Sequence, residues 1–420
     1  MRKFEIGATA ALVGLLAAGL VPISQAWGET EATATPTVTV TVTVTAGASP
    51  TATVTPTAAA TATPQASPTA TGTATGETTE TTEPVDALTA AAAYFGISDY
   101  TVVEVKAKSE LSAQVAQAVK QRKTLTPLVV HLAAGSYKLT APLRLAQPSV
   151  YVVAEDGATV TWKGKGAAMI NIASLSGAGV YQGDWDGSGG DVPLVMLKDA
   201  TGVKLAKLSL SDVKKYGILV TDASELTTDE VKLSKTGLQG LIVSKGSKAT
   251  LGKTTVSGAK GNGASVFDKG STLTLNDSTI SAPKGYGVAF SKKATGVLDH
   301  STVKNSGQEG LTANASTLTL KSKNTVSGSK KTGIIVSNGS KFKVTGSGNV
   351  VTKNKNHGLF FQNKGTTATI SKSVKITKNS WYGLQSQTGA KVTMVKCKLS
   401  GNVRGDAPRT LAGGTITIKK

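Results

Sequence analysis

Residues 310–336 decide the fold: Gly310-Leu311-Thr312-Ala313, then Leu318-Thr319-Leu320, then Thr325-Val326-Ser327, and finally Gly333-Ile334-Ile335-Val336, where the pattern restarts. The glycine that opens the unit recurs at Gly217, Gly240, Gly263, Gly287, Gly310, Gly333, Gly358 and Gly383, and more weakly at Gly405. Its spacings are 23, 23, 24, 23, 23, 25, 25 and 22 residues. Each glycine leads into a β-prone run, such as Ile218-Leu219-Val220, Leu241-Ile242-Val243 or Leu359-Phe360-Phe361. Two more alternating runs follow before the next glycine, separated by Gly, Ser, Asn and Lys, so each period carries three short strands. A leucine-rich repeat of this length would need a leucine ladder, whereas Thr, Val, Ser and Lys dominate here; a propeller blade would need roughly 40 residues or more. Three strands per period with a drifting turn length describe a coil stacked on copies of itself, its alternate side chains forming apolar columns. Glycine at the corners is expected to supply positive φ at little steric cost.

This pattern resembles the right-handed parallel β-helix of the pectate-lyase-like superfamily. The resemblance implies an all-β right-handed parallel β-helix over residues 126–420, three strands per coil and about eleven coils, with a short N-terminal capping helix in residues 87–125. Ser109 is placed to cap a helix over 109–123, whose Leu111, Val115, Ala118 and Val119 share one face. The stretch Val129-Val130-His131-Leu132-Ala133-Ala134-Gly135-Ser136-Tyr137, followed by Pro142-Leu143 and Gly157-Ala158-Thr159, is similar to the opening coil of that superfamily.

Upstream, Arg2-Lys3 and the apolar run Ala11–Ile23 read as a secretory signal over 1–26, with Ser24-Gln25-Ala26 suited to cleavage before Trp27. An uncleaved anchor is the alternative, since Ile6–Trp27 is just long enough to span a bilayer. Residues 27–86 form a Thr/Ala/Pro-rich disordered linker, an extended stalk of the O-glycosylated kind. A secreted or cell-surface protein is the expectation. The single cysteine, Cys397, staples nothing within the chain.

Charge is unevenly placed. The net charge is +20, but residues 1–86 hold only two of the 46 basic residues and seven of the 26 acidic ones, leaving 44 against 19 downstream. Such a surface attracts polyanions: uronate polysaccharide, another cell-wall polyanion or anionic lipid, with no specific nucleic-acid motif.

The motifs for catalysis are thin. Gly183-Asp184-Trp185-Asp186-Gly187-Ser188-Gly189 resembles a structural turn of polygalacturonase-like proteins, but the acidic and basic motifs that family uses in catalysis are missing, and Asn356-His357-Gly358 supplies only half of its histidine motif. Asp184, Asp186 and Asp191 could also offer oxygen ligands to calcium. Asp299-His300 resembles a pectate-lyase pair, yet its repeat column also accepts Asp229-Glu230, Gly252-Lys253 and Lys372-Ser373, as a turn does. The fold's arginines, Arg122, Arg144, Arg404 and Arg409, do not match the lyase spacing. No cofactor is expected, calcium being required only by a lyase. Arg404-Gly405-Asp406 is an adhesion-type tripeptide lying on the glycine column.

What remains is a binding face. The residue before each glycine runs Tyr216, Gln239, Asn262, Tyr286, Glu309, Thr332, His357, Tyr382, with Trp381 adjacent. The position two after the glycine, Leu219, Ile242, Ser265, Ala289, Thr312, Ile335, Phe360 and Gln385, is expected to face outward and is partly apolar. We expect sugar stacking on Phe360, Trp381, Tyr382, His357 and Tyr286, with Lys331, Lys353, Lys355 and Lys378 steering an acidic polysaccharide. The sequence therefore favours a non-catalytic binder. A polysaccharide lyase or glycoside hydrolase acting on uronate-containing glycans is the alternative, and a surface adhesin the second.

Overall fold

The computed structural model describes residues 86–419 and the two-residue strand Val42–Thr43, so the signal sequence and nearly all of the Thr/Pro stalk lie outside the described residues. The glycine-led runs form one ladder of parallel strands, from Leu143–Leu145 through Ile218–Thr221, Leu311–Asn314 and Leu384–Gln387 to Arg409–Leu411. The second run of each period forms a second ladder, for example Lys248–Gly252, Thr272–Asn276 and Thr317–Leu320. The third builds a separate twelve-stranded sheet ending at Lys398–Ser400. Successive coils pair in parallel register, Ile218 with Leu241, Leu241 with Ala264 and Ala264 with Val288, so identical positions stack into columns. Alternate residues of each strand point inward and are dry: Leu273, Leu275, Ile280, Val288, Phe290 and Leu298 are all about fully buried. Parallel strands joined by crossovers in one sheet wind right-handed.

The stack has about 13 turns, more than the eleven expected. One addition is the strand Thr101–Val105, which pairs in parallel with Leu128–Leu132 and so places a rung ahead of the helix that was expected to begin the fold. Its outer edge pairs antiparallel with Val42–Thr43. The expected helix spans Leu111–Gln121 (α2) and buries Leu111, Val115 and Ala118 against the first coils, closing that end of the core. Its N-cap is Glu110 rather than Ser109: the Glu110 carboxylate accepts from Ala113 N at 2.7 Å and from Thr140 N at 3.0 Å, tying the cap to the first coil. An earlier helix, Ala87–Phe95 (α1), packs Ala87, Ala91 and Phe95 on the outward residues Val129, Tyr151 and Tyr181. His131 bridges Glu104 at 2.7 Å and Glu155 at 2.8 Å, pinning the first rungs together. Tyr137 of the opening coil is buried and donates to Ala133 O at 2.8 Å.

The recurring glycine serves a different purpose from the one expected. None of the eight from Gly217 to Gly383 has positive φ. Each is needed because a neighbour fills the space of a side chain: a Cβ on Gly263 would stand 2.2 Å from Ile280 Cγ2 and 2.6 Å from the Gly287 carbonyl oxygen. The left-handed corners are held largely by other residues, such as Lys253, Asp277, His300 and Lys323 at one corner and Asn305, Lys353 and Lys378 at another. Short polar side chains tolerate this region best, and lysine reaches it only because the surrounding ladder dictates the turn. Gly405 is out of line: it bridges Tyr382, one position ahead of the glycine column.

Inside the corners, buried hydroxyls and amides satisfy backbone N–H groups that no strand partner reaches. Ser278 N donates to Ser301 Oγ at 3.1 Å and Ser301 N to Asn324 Oδ1 at 3.0 Å. Asn354, Asn379 and Asn402 continue the device as a ladder, Asn354 Nδ2 donating to Asn379 Oδ1 and Asn379 Nδ2 to Asn402 Oδ1, both at 2.9 Å. Asn354 and Asn379 are thus buried rungs of a ladder. Asp406 ends the ladder by accepting from Gly401 N, Asn402 N and Asn402 Nδ2 at 2.7–2.9 Å.

Candidate functional site

The column two after the glycine holds in register: Leu219, Ile242, Ser265, Ala289, Thr312, Ile335, Phe360 and Gln385 pair in succession, and Arg409 extends it, but Ile242, Ser265 and Gln385 are buried and not exposed as expected. A second column, two before the glycine, follows from backbone bonds linking Gln308, Lys331, Asn356, Trp381 and Arg404 in turn. Between them runs Tyr286, Glu309, Thr332, His357, Tyr382. The strand register therefore brings Phe360, His357, Trp381 and Tyr382 onto adjacent coils.

Their rings meet. His357 stacks on Phe360 at 4.8 Å between centroids and 15° between planes, and on Tyr382 at 6.0 Å and 17°, while Trp381 meets it edge-on at 5.2 Å. Two residues that sequence reasoning left out of the site complete it. The Arg404 guanidinium lies 3.9 Å from the Trp381 ring centroid, and Arg409 lies 4.5 Å from that of Tyr382, donating through Nη1 to the Tyr382 hydroxyl. Neither arginine enters any of the salt bridges found among the described residues. Neither alignment was legible in the sequence: Gly405 sits one position ahead of the glycine column, so spacing sets Arg404 beside Tyr382 and not Trp381, and the extra residues after Gly405 hide that of Arg409.

Three buried polar atoms here lack a partner: His357 Nδ1, Asn356 Oδ1 and Arg409 Nε. His357 is 3% exposed. Burial first, and then the charges of Arg404 and Arg409, push its imidazole down to about 4, against a hydrogen bond to the Tyr382 backbone. The ring is therefore neutral at pH 7. Trp381 is 37% exposed and forms the open lip of the cluster. A weakly hydrated guanidinium over an aromatic ring can still offer N–H groups to an anion, and the exposed Arg404 is the better placed of the two, since Arg409 Nη1 is engaged by the Tyr382 hydroxyl and its Nε is buried.

The other expected residues divide. Lys331 is exposed and in line with Trp381 and Arg404; Lys355 is exposed on the turn just before His357. Lys353 and Lys378 stack on each other's coils at the far end of that turn, beside the third sheet. Tyr286 lies three coils up the column from His357, next to Glu309, outside the ring cluster. Burial raises the Glu309 carboxyl above its ordinary range, offset by a hydrogen bond to its own N–H and by Lys331.

The remaining motifs are taken up by structure. Asp186 accepts from Ser188 N at 2.8 Å in a tight turn, Trp185 is fully buried, and Asp191 is exposed and lies 3.7 Å from Lys215. Asp299 accepts from Ser322 N at 3.1 Å and sits 3.0 Å from His300, whose φ of 47° makes it a corner residue. Asp406 of the adhesion-type tripeptide is engaged in ending the asparagine ladder. Among the described residues, no three His, Cys, Asp or Glu side chains converge as a metal site requires.

Comparison with known structures finds the A-module of Azotobacter vinelandii mannuronan C-5 epimerase AlgE4 at TM-score 0.61 and 14% identity, covering 74% of this chain and 96% of that one. The AlgE6 A-module of the same organism follows at 0.55 and 14%, covering 74% and 96%. The catalytic domain of a GH87 alpha-1,3-glucanase in complex with nigerose follows at 0.51 and 12%, covering 76% and 67%. At such identities the likeness is one of fold. No curated protein sequence matches. The family model described as right handed beta helix region matches residues 216–374 and 267–419. With its ladders running unbroken into the coils before residue 216, the chain has the fold of the right-handed parallel β-helix proteins.

Proposed function

We propose that this is an exported or cell-surface β-helix protein that binds an acidic polysaccharide on the outer face of coils 331–409. The observation that carries the reading is the pair of arginines, neither with a carboxylate partner among the described residues, lying over Trp381 and Tyr382 around the buried, neutral His357. Aromatic faces suit the apolar side of a pyranose, and guanidinium forks suit its carboxylate. The excess of basic residues over the fold supports the same partner, and structural neighbours named as a mannuronan C-5 epimerase and an alpha-1,3-glucanase support a polysaccharide, without bearing on its charge.

A second reading, a polysaccharide lyase or hydrolase, is favoured by the same histidine: a neutral imidazole with a free Nδ1 beside a phenol and two cations has the makings of a general base, an acid and a charge stabiliser. One experiment addresses both. The full chain is titrated with polygalacturonate, alginate and hyaluronan over a salt series while the absorbance of unsaturated uronates and the number of reducing ends are followed. Binding that weakens steeply with salt and is lost in Trp381→Ala/Tyr382→Ala, with neither signal rising, supports the binder. A rise in absorbance lost in His357→Gln identifies a lyase, and new reducing ends without absorbance, lost in the same variant, a hydrolase. No binding to any of the three refutes the acidic-polysaccharide reading.

A further inference from the structure

Resting on that reading, we infer that the acidic polysaccharide lies along the rod, on a track of lysines that carries the site beyond the ring cluster: Lys260, Lys284, Lys330 and Lys355. The row follows from inter-coil bonds in the turn ahead of each glycine. Lys260 N donates to Thr236 O, Lys284 N to Ala259 O, Gly307 N to Pro283 O, Lys330 N to Ser306 O and Lys355 N to Ser329 O. Each bond sets the position three before the glycine over its counterpart on the previous coil, so the four lysines share one column, with Gly307 as its gap. All four are exposed. The column runs one position ahead of the one holding Lys331, Trp381 and Arg404, and so leads to the ring cluster.

On the corner between the first and second strands, and along the second, lysines answer a carboxylate one coil back. Lys245 lies 2.9 Å from Asp222, Lys248 2.8 Å from Glu225, Lys253 3.4 Å from Glu230 and Lys321 3.9 Å from Asp299. The track lysines enter none of the salt bridges found among the described residues. Instead, Lys260 neighbours Lys284 and Lys330 neighbours Lys355 on successive coils, about 4.8 Å apart. Like charges side by side on a sheet destabilise it, and an anionic chain laid over them relieves that repulsion. The only acidic residue in the turns from Gly258 to Gly358 is Glu309, half-buried at the Gly307 gap and drawn on by Lys331. Before Lys260 the character changes: exposed Asp191 lies 3.7 Å from Lys215, and exposed Asp212 precedes Lys214 on the same turn, so the track ends there. Lys284 and Lys260 stand three and four coils from Lys355, about 14 and 19 Å along the axis. A short oligosaccharide held by the ring cluster does not reach them. A long one lying along the rod does, and a chain crossing the coils at the cluster never meets them, whatever its length.

The test is calorimetric titration of the full chain with tetrasaccharides and dodecasaccharides of galacturonate, mannuronate and hyaluronan at one low ionic strength. An exposed ion pair is worth up to roughly fivefold in affinity. Wild type therefore binds the dodecasaccharide of its preferred glycan more tightly than the tetrasaccharide, by on the order of tenfold. Lys260→Gln/Lys284→Gln lowers dodecasaccharide affinity by roughly fivefold and leaves the tetrasaccharide unchanged. The same variant keeps or raises the melting temperature, since it removes a like-charge pair. Equal wild-type affinity for both lengths, an unaltered dodecasaccharide affinity in the variant, or an equal loss at both lengths overturns the track and leaves the polysaccharide reading in place. Failure of wild type to bind any of the oligomers overturns both.

Discussion

Gly287→Ala tests why the glycine recurs. A Cβ at this position would stand 2.3 Å from Gly310 O, 2.3 Å from Val303 Cγ1 and 2.8 Å from Ser306 Oγ. The first of these atoms already accepts the inter-coil bond from Val288 N at 2.9 Å. Relief requires the carbonyl to move by about an ångström, which breaks that bond, and Val303 to leave its place in the core. Overpacking costs about 1–3 kcal/mol, and the lost backbone bond adds about 0.5–1.5 kcal/mol. Against this, alanine restricts the unfolded chain, returning about 0.4–1 kcal/mol. The net is a destabilisation of about 2–3 kcal/mol. Gly258→Ala is the control: φ there is +62° and no atom lies within 4 Å of the added Cβ. Left-handed backbone costs an L-residue about 1–2 kcal/mol, so after the same unfolded-state correction that variant loses about 1 kcal/mol or less. Both are compared by guanidinium unfolding, with hydrogen exchange at Val288 as the local probe, since coils of a solenoid can open separately. If Gly258→Ala is the costlier change, or Gly287→Ala keeps wild-type stability and Val288 protection, the close-approach explanation is wrong.

Further outcomes concern the core, the corners and the site. Phe290→Ala removes a buried ring at a cost of about 3–5 kcal/mol. Because that ring occupies the space of the missing Gly296 side chain, with Phe290 Cζ 2.3 Å from where its Cβ would be, adding Gly296→Val to it costs less than the two single changes summed, as a double-mutant cycle reads. Ser301→Ala leaves the Ser278 N–H without an acceptor and costs about 1–3 kcal/mol in denaturant unfolding. Asp406→Ala uncaps the asparagine ladder; fast exchange is expected at Gly401 and Asn402 but not at Asn354, and uniform loss of protection along the fold would contradict this. His357 has its folded-state pKa pushed down to about 4, below the 6.5 of an ordinary histidine, so the folded state binds fewer protons. Its contribution to stability is complete above pH 6.5 and is lost as pH falls from there to about 4, on the order of 3 kcal/mol. His357→Gln should flatten that acid limb in a pH series of melting temperatures.

Much of this could be read from the chain because a solenoid turns local pattern into long-range order. A period of 22–25 residues with three alternating runs leaves few architectures open, and once coils stack, identical positions must become columns. For that reason Phe360, His357 and Tyr382 could be set on neighbouring coils from their spacing alone, and the pairing of the column from Leu219 to Gln385 was correct at every position, although its Ile242, Ser265 and Gln385 are buried where an open face was expected. Positions that break the period were misread. Thr101–Val105 joins the stack across an intervening helix, and the residues after Gly405 shift the last coil so that Arg409 returns to the Phe360 column unannounced.

Spacing and composition along the chain are enough to set the strand period, the columns and the basic surface. What occupies the space beside each residue is settled by packing in three dimensions. That the repeated glycines yield to a neighbouring carbonyl and core side chain, that Asn354, Asn379 and Asn402 form a buried ladder closed by Asp406, and that two arginines lie on Trp381 and Tyr382 all depend on distances between coils. Residues more than twenty apart in the chain set those distances by packing, and a one-dimensional pattern carries no record of how closely two backbones approach.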